Sequence, residues 1–216
     1  MDVEKVIEKI KESRNLSKKR NFVQTFDLII NLKNMDLKKA DHKVDLGVNL
    51  LNPVKDKKLK ICAIVDHSIS EAEKVFDHVV YNSDLAELKG NMVEIRKLTH
   101  NYDKFVVQSN YMPLFAQILG RYLGPMGKMP SPKLGMVIGP KTPLSELYEK
   151  IQKTVHLQTK KNLVLQISIG SEKIEDKLLA ENVIHIYDAL VHALPNHEHN
   201  IRNVGIKLTM GKLVIL

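Results

Sequence analysis

The stretch GRYLGPMGKMPSPKLGMVIG, residues 120–139, decides how the middle of this chain is interpreted. It contains five of the ten glycines and three of the eight prolines. Because proline lacks a backbone donor and glycine is conformationally loose, this composition predicts a loop after an amphipathic helix at Pro113–Leu123. Long loops inside compact domains are usually functional or disordered. Arg121, Lys128 and Lys133 are spaced among apolar anchors, so we expect a functional loop.

On both sides of this loop, residues 55–157 alternate between strand and helix patterns. Leu59–Val65 has the composition of a buried strand, Ser70 and Glu73 have the spacing of a helix capping box, and Thr142-Pro143 is a favourable helix start. This alternation predicts a small parallel sheet covered by helices.

The two ends of the chain, residues 1–54 and 158–216, have a different rhythm. A helix is expected at residues 3–12, with strands at 22–32, 43–51, 155–159, 163–169 and 201–209 and a long helix at 174–194. The ends therefore predict one α+β domain with antiparallel character. The fold expected for the whole chain is α/β, with the domain at 55–157 inserted into the domain formed by both ends.

Composition limits the function classes. The 216 residues have a net charge of +8 and a single cysteine, Cys62, which excludes an internal disulfide and fits a reducing cytoplasm. We see neither a signal peptide nor an apolar run near the roughly 18 residues that span a membrane. The excess of positive charge is compatible with an acidic partner, of which nucleic acid is the commonest.

A phosphate-binding loop in an α/β enzyme is the main alternative function. Gly127-Lys128 resembles the end of a Walker motif, but Tyr122 stands where its first glycine belongs and Met129 replaces its hydroxyl residue. The histidines from His185 to His199 are better explained as solvated side chains near a helix end than as metal ligands. We therefore expect no catalytic residues, no metal and no cofactor.

A second set of residues, near the chain ends, fits RNA binding. The last strand places Asn203, Lys207 and Thr209 on the face opposite its apolar residues and is followed by Met210-Gly211. Small polar groups can bind ribose, cations balance phosphate, and a glycine permits close approach of a backbone. Taken alone, Phe22 would more often be a core residue, and lysines more often form a solvated face.

Three motifs together resemble the ribosomal protein L1 family, most closely its archaeal branch. They are GRYLGPMGKMPSPKLG in the middle, IRNVGIKLTMGK near the C-terminus and KRNFVQTFDLIINL near the N-terminus. This resemblance implies a split domain I formed by both ends and an inserted, Rossmann-like, three-layer domain II. It implies a cytoplasmic protein of the large ribosomal subunit that binds rRNA in the mobile L1 stalk, assists release of tRNA at the exit site, represses translation of its own mRNA and is a monomer when free.

The resemblance also implies which residues contact RNA. The main set is Arg20, Phe22, Thr25, Lys161, Asn203, Lys207, Thr209, Met210 and Gly211. A secondary contact is expected through the loop, at Arg121, Gly124, Pro125, Gly127, Lys128, Pro130 and Lys133. Asn203 occupies a position where bacterial members often have serine, so its hydrogen bond is expected to differ in detail.

Overall fold

The computed structural model describes residues 2–39, 42–54, 58–67, 69, 71–139, 142–159 and 162–216. The helices and strands of these residues are α1 Val3–Leu16, β1 Thr25–Leu32, β2 Asp45–Asn49, β3 Ile61–Val65, α2 Ala72–Val75, β4 His78–Tyr81, α3 Asn82–Glu87, α4 Met92–Asn101, β5 Lys104–Gln108, α5 Met112–Met126, β6 Val137–Ile138, α6 Leu144–Lys153, β7 Thr154–Gln158, β8 Val164–Ser171, α7 Asp176–Ala193, β9 Ile201–Leu208 and β10 Val214–Ile215. The predicted mixed α/β fold is confirmed. In the part of the chain described here, no helix has both the length and the apolarity that a membrane crossing requires.

The chain forms two compact units. Unit 1 comprises Met1–Asp56 with Lys153–Leu216, and unit 2 comprises Lys57–Gln152. The predicted boundary near residue 157 lies too far along the chain, because β7 pairs antiparallel with β2 from Thr154↔Asn49 to Gln158↔Asp45. That pairing places residues 153–157 in unit 1.

Unit 1 is built on an antiparallel sheet with the strand order β10-β9-β1-β8. Alternate residues of β1 are buried, from Phe26 to Leu32, because side chains of a strand point to opposite faces. They form one core with apolar residues of α1 and α7, including Ile10, Val183 and Leu190. The helices therefore cover one face of the sheet, and the alternate positions of its strands form the other.

Unit 2 is a three-layer α/β structure. Its parallel sheet has the order β4-β3-β5-β6, and every residue of β3 is buried. Cys62 and Ile64 belong to a core with α3, α4 and α5, whereas Ile61, Ala63 and Val65 belong to a second core with α2 and α6. Burial raises the pKa of the Cys62 thiol to about 12, so this cysteine stays protonated and unreactive in the folded unit.

The expectation of a loop over residues 120–139 was wrong at both ends, because the helix expected to end at Leu123 is longer and Val137–Ile138 form β6. Helix α5 continues through Gly120 and Gly124 to Met126, with Pro125 in its last turn. Gly127 then ends the helix with φ +66°, and the N–H of Lys128 donates to the carbonyl of Leu123. A proline this close to the C-terminal end disturbs only the last turn, which explains why composition alone misplaced the boundary.

Two smaller expectations concern helix starts in unit 2. Ser70, the first residue of the predicted capping box, lies outside the described residues. Thr142 does not cap α6 as its sequence suggested: its hydroxyl accepts a hydrogen bond from Gly139 N at 3.0 Å. Helix α6 then begins at Leu144, and the carbonyl of Pro143 accepts from Leu147 N.

Candidate nucleic-acid interface

Three strand ends meet at one edge of the unit 1 sheet. The register pairs Thr25, the first residue of β1, with Ser171 at the end of β8, and Phe26 with Leu208 at the end of β9. The residues before β1 and after β9 therefore lie side by side. This juxtaposition brings Phe22 and the Thr209–Gly211 turn, separated by almost the whole chain, to the same end of the unit.

Large apolar side chains are exposed at this end. Phe22 is 54% exposed and Met210 is 59% exposed, and Val23 is exposed beside Phe22. Phe22 is therefore a surface residue and not part of the hydrophobic core. Exposed aromatic and thioether groups beside polar ones can pack on sugar or base, which is how single-stranded and looped RNA is usually held.

Thr209 forms hydrogen bonds with Thr25, the first residue of β1. Its N–H and its hydroxyl both donate to the carbonyl of Thr25 at 3.0 Å, and its Oγ1 lies 3.4 Å from Thr25 N. The hydroxyl proton is therefore used inside the protein. Because a hydroxyl oxygen has two lone pairs, Oγ1 can still accept from a ligand such as a ribose hydroxyl.

The packing of unit 1 explains why position 211 is a glycine. A Cβ at this position would lie 2.3 Å from Ser17 Oγ at the end of α1, and 3.2 Å from Leu208 Cβ. The expectation that this glycine is required for close approach of RNA is therefore incomplete. The packing of unit 1 itself already requires a glycine at this position, and Gly211 N also donates to Leu208 O at 2.7 Å.

The sheet face opposite the helices carries polar groups in rows, and we call it the polar face. Its members are Thr25, Asp27, Ile29 and Asn31 of β1, Asn203, Gly205 and Lys207 of β9, and Gln166 and Ser168 of β8.

Cross-strand contacts order this face. Asn31 Nδ2 donates to Asn203 Oδ1 at 2.5 Å, which fixes the amide of Asn203 so that its own donor group points elsewhere. Ser168 Oγ donates to Asp27 Oδ1 at 3.1 Å, and Lys207 lies opposite Asp27 in the register. Asp27, Ser168 and Lys207 line a shallow cavity of about 180 Å³. The face thus offers fixed donors and acceptors close to a cation.

Asp27, Asn31, Gln166 and Ser168 are polar members of this face that the sequence analysis did not propose as RNA contacts. The signal for them existed, since each alternates with buried apolar residues in its strand. The alternation was recognised in these strands, but the predicted RNA site was not extended to their polar positions.

The predicted RNA-binding cations differ in their location and exposure. Arg20 is exposed in the connection between α1 and β1, beside Lys18 and Lys19. Lys207 is half-buried on the polar face. Lys161 lies outside the described residues, so its predicted contact with RNA stays a prediction.

The predicted secondary contacts in unit 2 differ in their exposure. Arg121, Gly124, Pro125, Gly127 and Lys133 are exposed, whereas Pro130 is buried.

Lys128 has a structural task in unit 2. Its Nζ donates to the carbonyls of Thr99 and Tyr102, each at 2.7 Å, at the C-terminal end of α4. A cation at that end satisfies carbonyls that lack a helical partner and complements the helix dipole. Lys128 is therefore a helix cap, and its ammonium is not available in the manner of a phosphate-binding lysine.

Among the described residues, the groups at the carboxyl ends of β3 and β5, where parallel α/β sheets usually bind ligands, do not resemble a phosphate site. Gln108 Oε1 accepts from Asp66 N at 3.0 Å, and Asp66 presents a carboxylate there. Desolvation, followed by the charge of Asp66 and a hydrogen bond to it, raises the pKa of the Tyr111 hydroxyl. A carboxylate at this position opposes phosphate binding.

Metal binding has no support among the described residues, where no group of three or more His, Cys, Asp or Glu side chains is placed to hold an ion. The ring of His197, one of the predicted histidines, lies with Nδ1 2.9 Å from the carbonyl of Val191. His192 lies in the last turn of α7, where a cation is favourable.

These features define a class before any comparison: a two-unit α/β protein in which a parallel three-layer unit interrupts an antiparallel unit with an ordered polar face. A family model described as the ribosomal protein L1p/L10e family matches residues 2–212. The chain therefore belongs to the ribosomal protein L1 family, a family of ribosomal proteins rather than enzymes.

Full-length relatives agree with this assignment. The large ribosomal subunit protein uL1 of Thermococcus kodakarensis is 38% identical over 215 residues, which cover 99% of this chain and 97% of the relative. That of Nanoarchaeum equitans is 39% identical over 214 residues, covering 96% and 97%, and that of Pyrococcus horikoshii is 36% identical over 215 residues, covering 99% and 95%. The expected likeness to archaeal members is confirmed.

Proposed function

We propose that this protein binds rRNA of the large ribosomal subunit through unit 1, using the polar face and the Thr209–Gly211 turn. The observation that carries the proposal is the meeting of exposed Phe22 and Met210 at the edge of that ordered face. Apolar groups at the edge pack on sugars and bases, and fixed amides and hydroxyls recognise ribose and base edges. The relatives' names, which place them in the large subunit, support the same partner.

The finer function follows from the family resemblance. Bound in this way, the protein forms the mobile L1 stalk of the cytoplasmic large subunit, beside the site from which deacylated tRNA leaves, and assists that release. Unit 2, joined to unit 1 by two chain passages, can then contribute secondary contacts. The exposed residues Arg121 and Lys133 are the candidates for its secondary RNA contacts.

The same surface can bind a second RNA. A structure in the protein's own mRNA that resembles the rRNA site would occupy the polar face, so free protein would repress its own translation. Binding of the two RNAs is then mutually exclusive. Competition between a labelled rRNA fragment and an unlabelled leader of the mRNA measures this directly, and simultaneous binding would contradict it.

The primary experiment is a titration of a structured large-subunit rRNA fragment with the full chain at several salt concentrations. We expect saturable binding, and we expect the logarithm of the association constant to fall linearly with the logarithm of the salt concentration. Lys207→Met should reduce the magnitude of that slope by about 0.9, the value for one lost phosphate contact with double-stranded nucleic acid. Lys74→Met, which removes an exposed cation from α2 in unit 2, is the matched control and should leave the slope unchanged.

Two outcomes would contradict the proposal. One is the absence of saturable binding to rRNA by folded protein. The other is a slope that responds to Lys74→Met and not to Lys207→Met, which would move the binding surface to unit 2.

A further inference from the structure

Gln24, which directly precedes β1, is a buried polar residue that the site described above does not yet use. It is 3% exposed. Its Oε1 accepts a hydrogen bond from Met210 N at 3.2 Å, and its backbone carbonyl accepts from Glu172 N at 2.8 Å. Burying an amide side chain is costly unless its polar groups are paired. Here the pairing is with the backbone of Met210, the most exposed large apolar residue at this end of unit 1.

The bond to Gln24 completes the backbone pairing of the Thr209–Gly211 turn. Thr209 N donates to Thr25 O, and Gly211 N donates to Leu208 O. Met210 lies between them, and its side chain is exposed, so its own packing does little to fix it. Gln24 thus supplies, from a buried side chain, the acceptor for the middle N–H of the turn.

Gln24 is itself held by the neighbouring segments. Glu172, whose N–H binds the Gln24 carbonyl, directly follows β8. The guanidinium of Arg14 on α1 donates through Nη1 to the carbonyl of Glu172 and through Nη2 to that of Ile174 at 2.9 Å, and its Nε pairs with Asp176 at 2.8 Å. Contacts from α1 and α7 therefore reach the turn through Glu172 and Gln24.

Arg14 is unsuited to binding RNA itself, although it lies at the same end of the unit. Its charge is matched by Asp176, and its guanidinium lies over the ring of Phe26, 4.9 Å from the centroid. It acts on the surface only through the backbone of residues 172–174. This leaves Gln24 as the last link before the exposed turn.

We infer that Gln24 is a positioning residue for RNA binding, which holds the Thr209–Gly211 turn in its bound geometry before RNA arrives. The inference rests on the proposed function. A turn ordered in advance avoids the entropy cost of ordering it during binding. Replacing Gln24 should therefore weaken RNA binding without removing a contact to RNA.

The test uses the full chain with Gln24→Met, which keeps the size of the side chain and removes its amide oxygen. We expect the dissociation constant for the rRNA fragment to rise roughly 5- to 20-fold, as when a segment must be ordered on binding. The salt slope should stay unchanged, because no phosphate contact is lost. Hydrogen exchange at Met210 N–H in the free protein should become faster, and Gln24→Glu, which retains an acceptor oxygen, should keep that exchange slow.

Leu194→Ala is the control for a general loss of stability. Leu194 is buried in the same core but lies at the C-terminal end of α7, beside the start of β9 rather than its end. Leu194→Ala should lower the stability of unit 1 and leave RNA affinity unchanged at temperatures where it is folded. If Gln24→Met does not fold, Gln24→Asn, whose side chain is shorter by one methylene, makes the same test.

Unchanged affinity in folded Gln24→Met protein would overturn the inference, and so would equal losses in Gln24→Met and Leu194→Ala. Failure of the wild-type protein to bind rRNA would overturn the proposed function instead. The exchange measurement separates these cases, because it examines the link between Gln24 and Met210 in the absence of RNA.

Discussion

Gly211 shows how the fold and the binding surface constrain the same residue. A side chain there would meet Ser17 Oγ at 2.3 Å, while the residue also ends the turn that we propose to contact RNA. Ser17 Oγ donates to Ser13 O at 2.8 Å, so moving it away breaks a hydrogen bond. The role of Gly211 in packing and its proposed role in RNA binding can be separated, because only the packing involves Ser17.

We predict that Gly211→Ala lowers the free energy of unfolding by about 1–3 kcal/mol, the usual cost of overpacking. In a Ser17→Ala background the loss should be smaller, because the atom that the new Cβ meets is gone. Denaturant unfolding of the two single variants and the double variant gives the coupling energy between the two positions. Additive losses would show that the contact with Ser17 does not limit the residue at 211.

The RNA affinity of the same variants tests whether the backbone at position 211 also contacts RNA. If the backbone at 211 also touches RNA, affinity should stay low in the double variant even where its stability recovers. Full recovery of both quantities would mean that Gly211 serves the fold alone.

At the scale of elements, helix α4 ends on a side chain from another part of unit 2. Lys128 follows the helix α5 and its left-handed Gly127, and its ammonium reaches the carbonyls of Thr99 and Tyr102. Gly127 and Lys128, which resemble the end of a Walker motif in sequence, thus act together: Gly127 turns the chain, and Lys128 caps the neighbouring helix. These structural roles explain the Gly-Lys pair without a bound phosphate.

Lys128→Met should therefore lower the free energy of unfolding of unit 2 by about 1–2 kcal/mol, because two carbonyls lose a charged donor and the helix dipole loses its counter-charge. Urea denaturation measures this loss. The control is Lys74→Met, at an exposed position on α2, which should change stability little. Equal effects of the two substitutions would contradict the role of Lys128 as a cap.

The elements also show how far the sequence could predict this structure. Alternation placed Asn203 and Lys207 on the correct face, because strand periodicity is a local property. The cap formed by Lys128 and the link from Gln24 to Met210 could not be predicted, because these partners are brought together only by tertiary folding. The length of α5 was misjudged because composition does not show where within a helix a proline is tolerated.

Among the described residues, apolar side chains form one core in unit 1 and two cores in unit 2, one on each face of its sheet, and each core is made within its own unit. The inserted organisation was expected from the change in strand and helix rhythm, but the boundary was expected near residue 157 and lies between Gln152 and Lys153. It depends on the pairing of β7 with β2, which are more than a hundred residues apart. Local patterns cannot identify such a partner.

We propose that unit 1 binds rRNA at the end bearing Phe22 and Met210. Met210→Ala and Met92→Ala make a matched pair, since both methionines are exposed, at 59% and 56%, and Met92 lies on α4 of unit 2. The decisive measurement is the dissociation constant of each full-length variant for the same rRNA fragment. We predict an increase of about 5- to 30-fold for Met210→Ala, equivalent to about 1–2 kcal/mol, and no change for Met92→Ala. An unchanged constant for Met210→Ala, or a loss confined to Met92→Ala, would contradict the account.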